Sequence, residues 1–411
     1  MMSDAWLSII GIGEDGWDGL NTSARCALED AELLVGSARQ LALVPHQRGE
    51  RIAWPSPMLP FVDELLARER GRAVAVLASG DPMLCGVGAI FAKRLDACEL
   101  RVIPQVSAFT LACARLAWPS AEVTLVSAVA RPLARIVPHL APGSKMVIFS
   151  EDGTTPERLA ALLVQHGYGA SALHIFEHLG APRERRIDAV AATYAPERVA
   201  DLNLVAVTCV ADAWTRPLAS VPGLPDDAFE HDGQLTKRDV RAASLARLVP
   251  LPGALLWDVG AGSGAIGIEW MRVHPSCRAI AFERDPQRAV RIARNAERLG
   301  VPGLRIVAGA APAAFAGIET PDAIFIGGGI GGDGLLDACL DALAPNGRLV
   351  ANVVTVEGEV ALARAHAAHG GELTRTALAH AAPIGSMLTW RPALPITQWT
   401  YFKNDTVVAR Q

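Results

Sequence analysis

Residues 255–264 read LLWDVGAGSG, an apolar run that stops in a glycine-rich turn, and a helical pattern from Ala265 to Arg272 follows at once. The run has the continuous apolar character of a strand buried on both faces. Glycines behind it let the backbone turn sharply and approach a ligand closely, and free amides at a helix start suit polar or anionic groups. A nucleotide-like cofactor is the expected occupant. The next strand, RAIAFERD at 278–285, brings in Glu283, whose carboxylate at a strand end suits both hydroxyls of a ribose. Dinucleotide-binding dehydrogenases use a related loop and a related acid. The leading Asp258 and an expected terminal hairpin between MLTW (387–390) and WTYF (399–402) favour S-adenosylmethionine (SAM) over a nicotinamide cofactor. A purely structural glycine turn is the remaining alternative.

Apolar strands alternate with helical segments on both sides of this stretch. LRIVAG (304–309), DAIFIGGG (322–329) and GRLVANVV (347–354) follow it. LSIIGI (7–12), AVAVLAS (73–79), LRVIP (100–104), VTLVSA (123–128), KMVIFS (145–150), SALHIFE (171–177) and NLVAVTCV (203–210) precede it. The pattern is that of an α/β protein with mostly parallel sheets. A chain of 411 residues is too long for one ordinary core. Between Ala213 and Gln234 the character changes to WTRPLASVPGLPDDAFEHDGQ, rich in proline and acid. The expected domains are therefore 1–212 and 233–411, joined by a linker at 213–232. No repeat relates the two halves, so two different folds are expected.

With 51% hydrophobic and 20% charged residues the chain has the make-up of a packed globular protein. Its formal net charge of -5 offers no general attraction to nucleic acid or to an anionic membrane. Seven cysteines show neither CxxC nor Cys/His spacing, so neither a disulfide framework nor a metal site is expected. No signal-peptide pattern is found, and no run approaches the roughly 18 apolar residues of a membrane helix. A cytoplasmic enzyme is expected.

Two sets of motifs carry a family resemblance. GQLTKRDVR (233–241) ahead of LLWDVGAGSGAIGIEW, with PNGRLVANVVTVEG (345–358) later, resembles the C-terminal domain of the decarboxylating precorrin-6Y C5,15-methyltransferase family over 231–402. WLSIIGIGEDG (6–16), ASGDPMLCGVG (78–88), PQVSAFTLACARLAWP (104–119) and FEHLGAPRER (176–185) resemble a tetrapyrrole methylase, the N-terminal domain of the same family, over about 5 to 212. The resemblance implies a tetrapyrrole methylase (class III) fold followed by a class I Rossmann-like SAM methyltransferase fold. It implies SAM contacts from Thr236, Gly260, Ala261, Gly262, Ser263, Gly264, Glu283 and Ala310 in the second half. In the first half it implies SAM contacts from Ser79, Gly80, Asp81, Leu84, Ser107 and Ala108, with Gly11 and Gly13 in a substrate-facing loop. Taken by itself, Ser107 also fits a cap of the helix that starts near Ala108.

Asn352, Thr355 and Glu357 fall at a strand end on the carboxyl edge, the side on which open α/β sheets bind ligands. They are the catalytic candidates of the second half, against a capping or solvated alternative; Arg131 is the candidate of the first. One departure stands out: where the family carries a Ser-Ala-His-Gly-Arg-like motif, this chain reads Ser127-Ala128-Val129-Ala130-Arg131.

The activity implied is methylation of precorrin-6Y at ring carbon 5 by the first domain and at carbon 15 by the second. Loss of carbon dioxide from the carbon-12 acetate accompanies it, giving precorrin-8 in cobalamin biosynthesis. Methyl transfer from a sulfonium needs positioning more than a covalent nucleophile. The substrate carries several carboxylates, which arginine forks pair with well. Candidates are Arg131 and Arg135, the cluster Arg183, Arg185 and Arg186, and Lys237, Arg238 and Arg241. Two other readings stay open. In one, only the second domain is active and the first binds intermediates or scaffolds the assembly. In the other, the class I domain acts on RNA, against which the negative charge and the lack of a basic aromatic-rich stretch weigh. A homo-oligomer is the expected assembly.

Overall fold

The computed structural model describes residues 5–45, 49–195, 198–332 and 334–403. Its contacts divide the chain into two compact units, Met1–Leu133 with Ala141–Thr215, and Ala134–Leu140 with Arg216–Gln411.

The first unit holds two five-stranded sheets. One consists of β1 (Leu7–Ile12), β2 (Leu33–Gly36), β3 (Glu50–Ala53), β4 (Val74–Ser79) and β5 (Leu100–Ile103), all parallel in the order β3-β2-β4-β1-β5. Its inner strands β1, β2 and β4 are largely apolar because both faces are covered, while the edge strands β3 and β5 carry exposed charge at Glu50, Arg51 and Arg101. Leu7 and Ile9 pack with Val35, Val62 and Val76 on one face, and Ile10 and Ile12 pack with Leu28, Leu34 and Leu77 on the other. The second sheet consists of β6 (Val123–Ser127), β7 (Lys145–Phe149), β8 (Ala172–Glu177), β9 (Arg185–Val190) and β10 (Asn203–Thr208). Its order is β6-β7-β10-β8-β9, and only the β6–β7 pair is parallel. Three strands fall outside those expected from the sequence. β2 and β3 are only four residues long, and β9, RRIDAV, is charged and largely exposed.

The second unit contains β11 (Leu255–Val259), β12 (Arg278–Glu283), β13 (Arg305–Ala308), β14 (Ala323–Ile326), β15 (Arg348–Val353), β16 (Glu372–Thr376), β17 (Ala379–Ile384), β18 (Met387–Pro392) and β19 (Ile396–Phe402). Seven of them form one sheet in the order β13-β12-β11-β14-β15-β19-β16. The first five run parallel, and β19 is antiparallel to both neighbours. The chain winds from β11 out to β13 and then returns to β14 on the other side of β11. Such a reversal opens a ligand crevice at the carboxyl ends of the two strands between which it occurs. Side chains alternate along β11: Trp257 meets Phe282 and Phe315 at ring-centroid distances of 5.0 and 4.7 Å, while Leu256 joins the core on the other face.

Two expectations are corrected here. The pairing of 387–390 with 399–402 does not form. β18 pairs instead with β17 across the two-residue turn Gly385-Ser386, Ile384 opposite Met387, and β19 enters the large sheet between β15 and β16. Gly385, at φ +61°, takes the left-handed conformation that a two-residue hairpin turn requires, so the Gly-Ser dipeptide is the local signal that decides the pairing. The stretch expected as a linker is partly core. Leu224 and Phe229 are 2% and 4% exposed and pack with Leu245, Trp270 and Ile292, burial that the surrounding prolines and acids disguise.

Candidate active site

Gly260, Gly262 and Gly264 have φ of +73°, +60° and +77°, which only glycine adopts without strain. The turn is held from β12. The Gly260 and Ala261 amides donate to the Phe282 carbonyl at 3.0 and 3.1 Å, and the Gly262 amide donates to Glu283 Oε2 at 2.8 Å. Glu283 Oε1 accepts the Asp285 amide at 3.0 Å. Each oxygen of this buried carboxylate thus takes one backbone donor and keeps a lone pair for another. A β-carbon on Gly260 would meet nothing nearer than the Gly328 carbonyl at 3.7 Å, so space is open over the turn toward the loop after β14. An acceptor at the end of β12 beside an open glycine turn matches what the ribose of SAM needs. Ala310 lies exposed just past β13, on the same carboxyl edge.

Asp258 Oδ2 accepts the Gly267 amide at 3.0 Å, inside the first turn of the helix Ala265–Val273. Burial pushes its carboxyl up to about 7; the Gly267 bond opposes this and the nearby Glu283 charge adds to it. The spacing of Gly262, Gly264 and Gly267 also fits GxGxxG, so the loop alone does not separate SAM from a dinucleotide.

A supporting residue that motif spacing misses is Asn295, which is fully buried. Its Nδ2 donates to the Ser263 and Glu230 carbonyls, both at 2.9 Å, and its Oδ1 accepts the Glu230 amide at 2.8 Å. The glycine turn is thereby tied to the segment that carries Thr236, and the Gln234 carbonyl lies 3.2 Å from where a Gly262 β-carbon would sit. An asparagine between Ile292 and Ala296, on the buried face of the helix Pro286–Arg298, is the signal that marks it.

In the first unit the ends of β1, β4 and β5 converge. A β-carbon on Gly11 would lie 2.0 Å from the Gly80 carbonyl and 2.6 Å from the Gln105 amide, and one on Gly80 would lie 2.9 Å from Ser107 Cα. The Gly80 amide donates to the Ile12 carbonyl at 3.0 Å. Ser79 Oγ accepts from Arg39 at 2.9 Å and Gln40 at 3.1 Å, and Arg39 also pairs with Glu14. Arg39 and Gln40 belong to the helix Ala38–Ala42, which begins in a capping box between Ser37 and Gln40. Asp81 Oδ1 accepts the Met83 amide at 2.8 Å, and the Leu84 amide donates to the Asp81 carbonyl. A β-carbon on Gly13 would strike the Asp15 carboxylate at 2.4 Å. Ser107 caps the helix Ala108–Leu116 by accepting the Thr110 amide at 3.1 Å, the structural role that the sequence also allowed. At the departure from the family motif, Val129 is exposed and Ala130 has φ +51°.

Arg241 is a correction. Expected at substrate carboxylates, it is wholly buried. Its Nε donates to Glu269 at 2.5 Å, Nη1 to Asp226 at 3.1 Å and to the Thr236 carbonyl, and Nη2 to the Leu224 carbonyl; the guanidinium also lies over Phe229. Four of five N–H donors are thus spent within the protein, three on the segment 224–236 and one on Glu269. Lys237 is exposed 3.7 Å from Asp226, and Arg238 and Arg131 are exposed. Arg185 and Arg186 face Glu177 and Asp188 at 3.3 and 2.8 Å.

The three candidates at the end of β15 occupy different settings. Asn352 is buried, donating to Ser244 Oγ at 2.8 Å and accepting from Gln398 Nε2 at 2.7 Å. Thr355 caps the helix Val356–His369 by accepting the Gly358 amide at 3.1 Å, and Glu357 is exposed in its first turn.

The second unit has the doubly wound sheet, the glycine turn at the reversal and the acid closing the next strand of a nucleotide-cofactor domain, and the family matches make it a class I methyltransferase. Residues 227–403 match the family described as "Precorrin methyltransferase domain", and residues 7–195 match "Tetrapyrrole (Corrin/Porphyrin) Methylases". The chain is 48% identical over 400 residues to the precorrin-6Y C(5,15)-methyltransferase [decarboxylating] of Sinorhizobium sp, covering 97% of each. It belongs to the precorrin-6Y C(5,15)-methyltransferase (decarboxylating) family. Two shorter Salmonella typhimurium proteins each match less than half of it. The cobalt-precorrin-7 C(5)-methyltransferase is 29% identical over 179 residues, 44% of this chain and 88% of that one. The cobalt-precorrin-6B C(15)-methyltransferase (decarboxylating) is 33% identical over 167 residues, 39% of this chain and 85% of that one.

Proposed function

We propose that this chain methylates precorrin-6Y at carbon 5 in the first unit and at carbon 15 in the second, and decarboxylates the carbon-12 acetate, giving precorrin-8 in cobalamin biosynthesis. The observation that carries this is the near-complete match to a relative named for both methylations and the decarboxylation. The two shorter relatives, named for one carbon each, support the division of labour. SAM supplies a methyl group on a sulfonium, which is an excellent leaving group. The chain supplies position. Glu283 and the turn 260–264, with Thr236 and Ala310, hold the nucleoside in the second unit. In the first unit Ser79–Leu84 and Ser107–Ala108 hold it, and Gly11 and Gly13 face the ring. Lys237, Arg238 and Arg131, exposed cations, meet the carboxylates of the anionic tetrapyrrole. Asn352, Thr355 and Glu357 remain the catalytic candidates. Among the described residues no helix is long and apolar enough to cross a membrane, and the reading places the enzyme in the cytoplasm as a homo-oligomer without nucleic acid.

Val129 and Ala130, standing where the family has histidine and glycine, favour a second reading in which the first unit only binds intermediates or scaffolds the assembly. Incubating the full chain with precorrin-6Y and methyl-labelled SAM separates the two, with product mass and label position read by mass spectrometry and NMR. Gain of two methyl groups with loss of one carbon dioxide supports the first. A single methyl at carbon 15 with decarboxylation supports the second, and no reaction of precorrin-6Y sinks both.

A further inference from the structure

The loop between β8 and β9 is pinned to the helix whose first turn adjoins Gly80. Arg115, in that helix Ala108–Leu116, donates from Nε and Nη2 to the two oxygens of Glu184 at 2.7 and 3.0 Å, and Glu184 also accepts the Gly180 amide at 2.8 Å. A β-carbon on Gly180 would lie 3.2 Å from Leu111 of the same helix. His178 opens the loop at φ +48°, a left-handed conformation uncommon outside glycine, and its buried Nδ1 has no hydrogen-bond partner. Backbone strain and unpaired buried polar atoms gather at functional sites. Three arginines leave this loop, and they differ. Arg185 faces Glu177 and Arg186 faces Asp188. Arg183 is exposed and has no carboxylate partner among the described residues. Burial first, and then the Arg183 charge, lower the Arg39 guanidinium from its ordinary value. Burial and then the Arg183 and Arg39 charges lower the His178 imidazole as well, against the opposing charge of Glu177. The arginine thus acts on the residues around Ser79, to which Arg39 donates at 2.9 Å. Both nearby carboxylates are already engaged, Glu14 with Arg39 and Glu177 with Arg185 and the Ala200 amide, so the Arg183 charge stays unmatched. One cation held near another is unfavourable until an anion joins them.

We propose that Arg183 is a carboxylate-binding residue of the first unit, presented by the pinned loop beside His178 and Arg39 to grip one carboxylate side chain of the tetrapyrrole. The inference rests on the proposed function for the identity of the ligand and adds the cation that meets it. A guanidinium with no partner of its own can offer two parallel N–H groups to both oxygens of a carboxylate, which a lysine cannot. Arg185 and Arg186 would first have to give up Glu177 and Asp188.

Isothermal titration calorimetry of precorrin-6Y into the full chain, with S-adenosylhomocysteine present to prevent turnover, tests this. Arg183→Glu should weaken tetrapyrrole binding at one site by about 10-fold or more, and Arg183→Lys, which keeps the charge and loses the fork, should weaken it less. Added salt should weaken binding by the unaltered chain more than binding by Arg183→Glu. Arg186→Gln, at an arginine already paired, should stay within about 2-fold of the unaltered affinity. Arg183 is exposed and has no ion pair to lose, so the melting temperature should not move. Methylation of carbon 5 by the unaltered chain, followed in parallel, judges the proposed function separately. Equal affinities for the unaltered chain and Arg183→Glu overturn the inference whether or not carbon 5 is methylated, and so does an equal loss in Arg186→Gln. Weakened binding without methylation of carbon 5 upholds it on a unit that binds and does not react. No binding by the unaltered chain overturns both.

Discussion

Glu283 and Gly262 are joined by a single hydrogen bond of 2.8 Å, from the glycine amide to the carboxylate. The acid proposed for the ribose therefore also braces the glycine turn. Glu283→Gln keeps the shape and removes the charge. A hydrogen bond to a charged group contributes about 1.5–3 kcal/mol, so SAM affinity at the second unit should fall by roughly 10-fold or more. Isothermal titration calorimetry reads this, and an unchanged Kd would remove Glu283 from the cofactor site.

Arg241 and Glu269 form a buried pair whose removal is felt by the fold. Arg241→Met leaves Glu269 buried without its cation and should cost about 3–5 kcal/mol in urea unfolding. Adding Glu269→Gln should recover part of the loss. At a temperature where the variant is folded, its KM for the tetrapyrrole should match that of the unaltered enzyme. A raised KM with undiminished stability would return Arg241 to the substrate.

Asp258 keeps its proton up to about pH 7 in the folded chain, against an ordinary value of 3.8. Between those values the folded state holds a proton that the unfolded state has released, so this group's contribution is full below about pH 4 and is lost as the pH rises to about 7. Asp258→Asn ends the titration and leaves an oxygen for the Gly267 amide. Its stability relative to the unaltered protein should grow by about 2 kcal/mol between pH 5 and 8, measured by urea unfolding at both. A constant difference would show that the group does not titrate in that window.

Ala130 sits at a φ where glycine carries no strain. Ala130→Gly should stabilise the protein by about 0.5–1 kcal/mol, the relief of strain outweighing the added freedom of the unfolded chain. A rise in melting temperature checks it. A fall would mean that the turn is held in this conformation at no cost to alanine.

The strands that lead into both glycine turns are readable in the sequence because a strand covered on both faces is apolar along most of its length, as at 7–12 and 255–259, where Ser8 and Asp258 are the exceptions. What stays hidden depends on distant partners. Arg241 resembles any surface arginine until Glu269, 28 residues away, is placed against it. Asn295 is an ordinary helical asparagine until Glu230, 65 residues away, meets it. Trp390 and Trp399 lie in equally apolar tetrads, yet one is 73% exposed and the other fully buried. Only the pairing of β19 with β15 and β16 separates them.

The contact of Gly11 with Gly80, and of Gly80 with Ser107, sets the terms on which the first unit can diverge. Three loops far apart in the chain share one small volume with no room for a β-carbon at either glycine. A change in any one of them is answerable to the other two. A changed side chain meets less resistance at positions such as 129, which lies exposed.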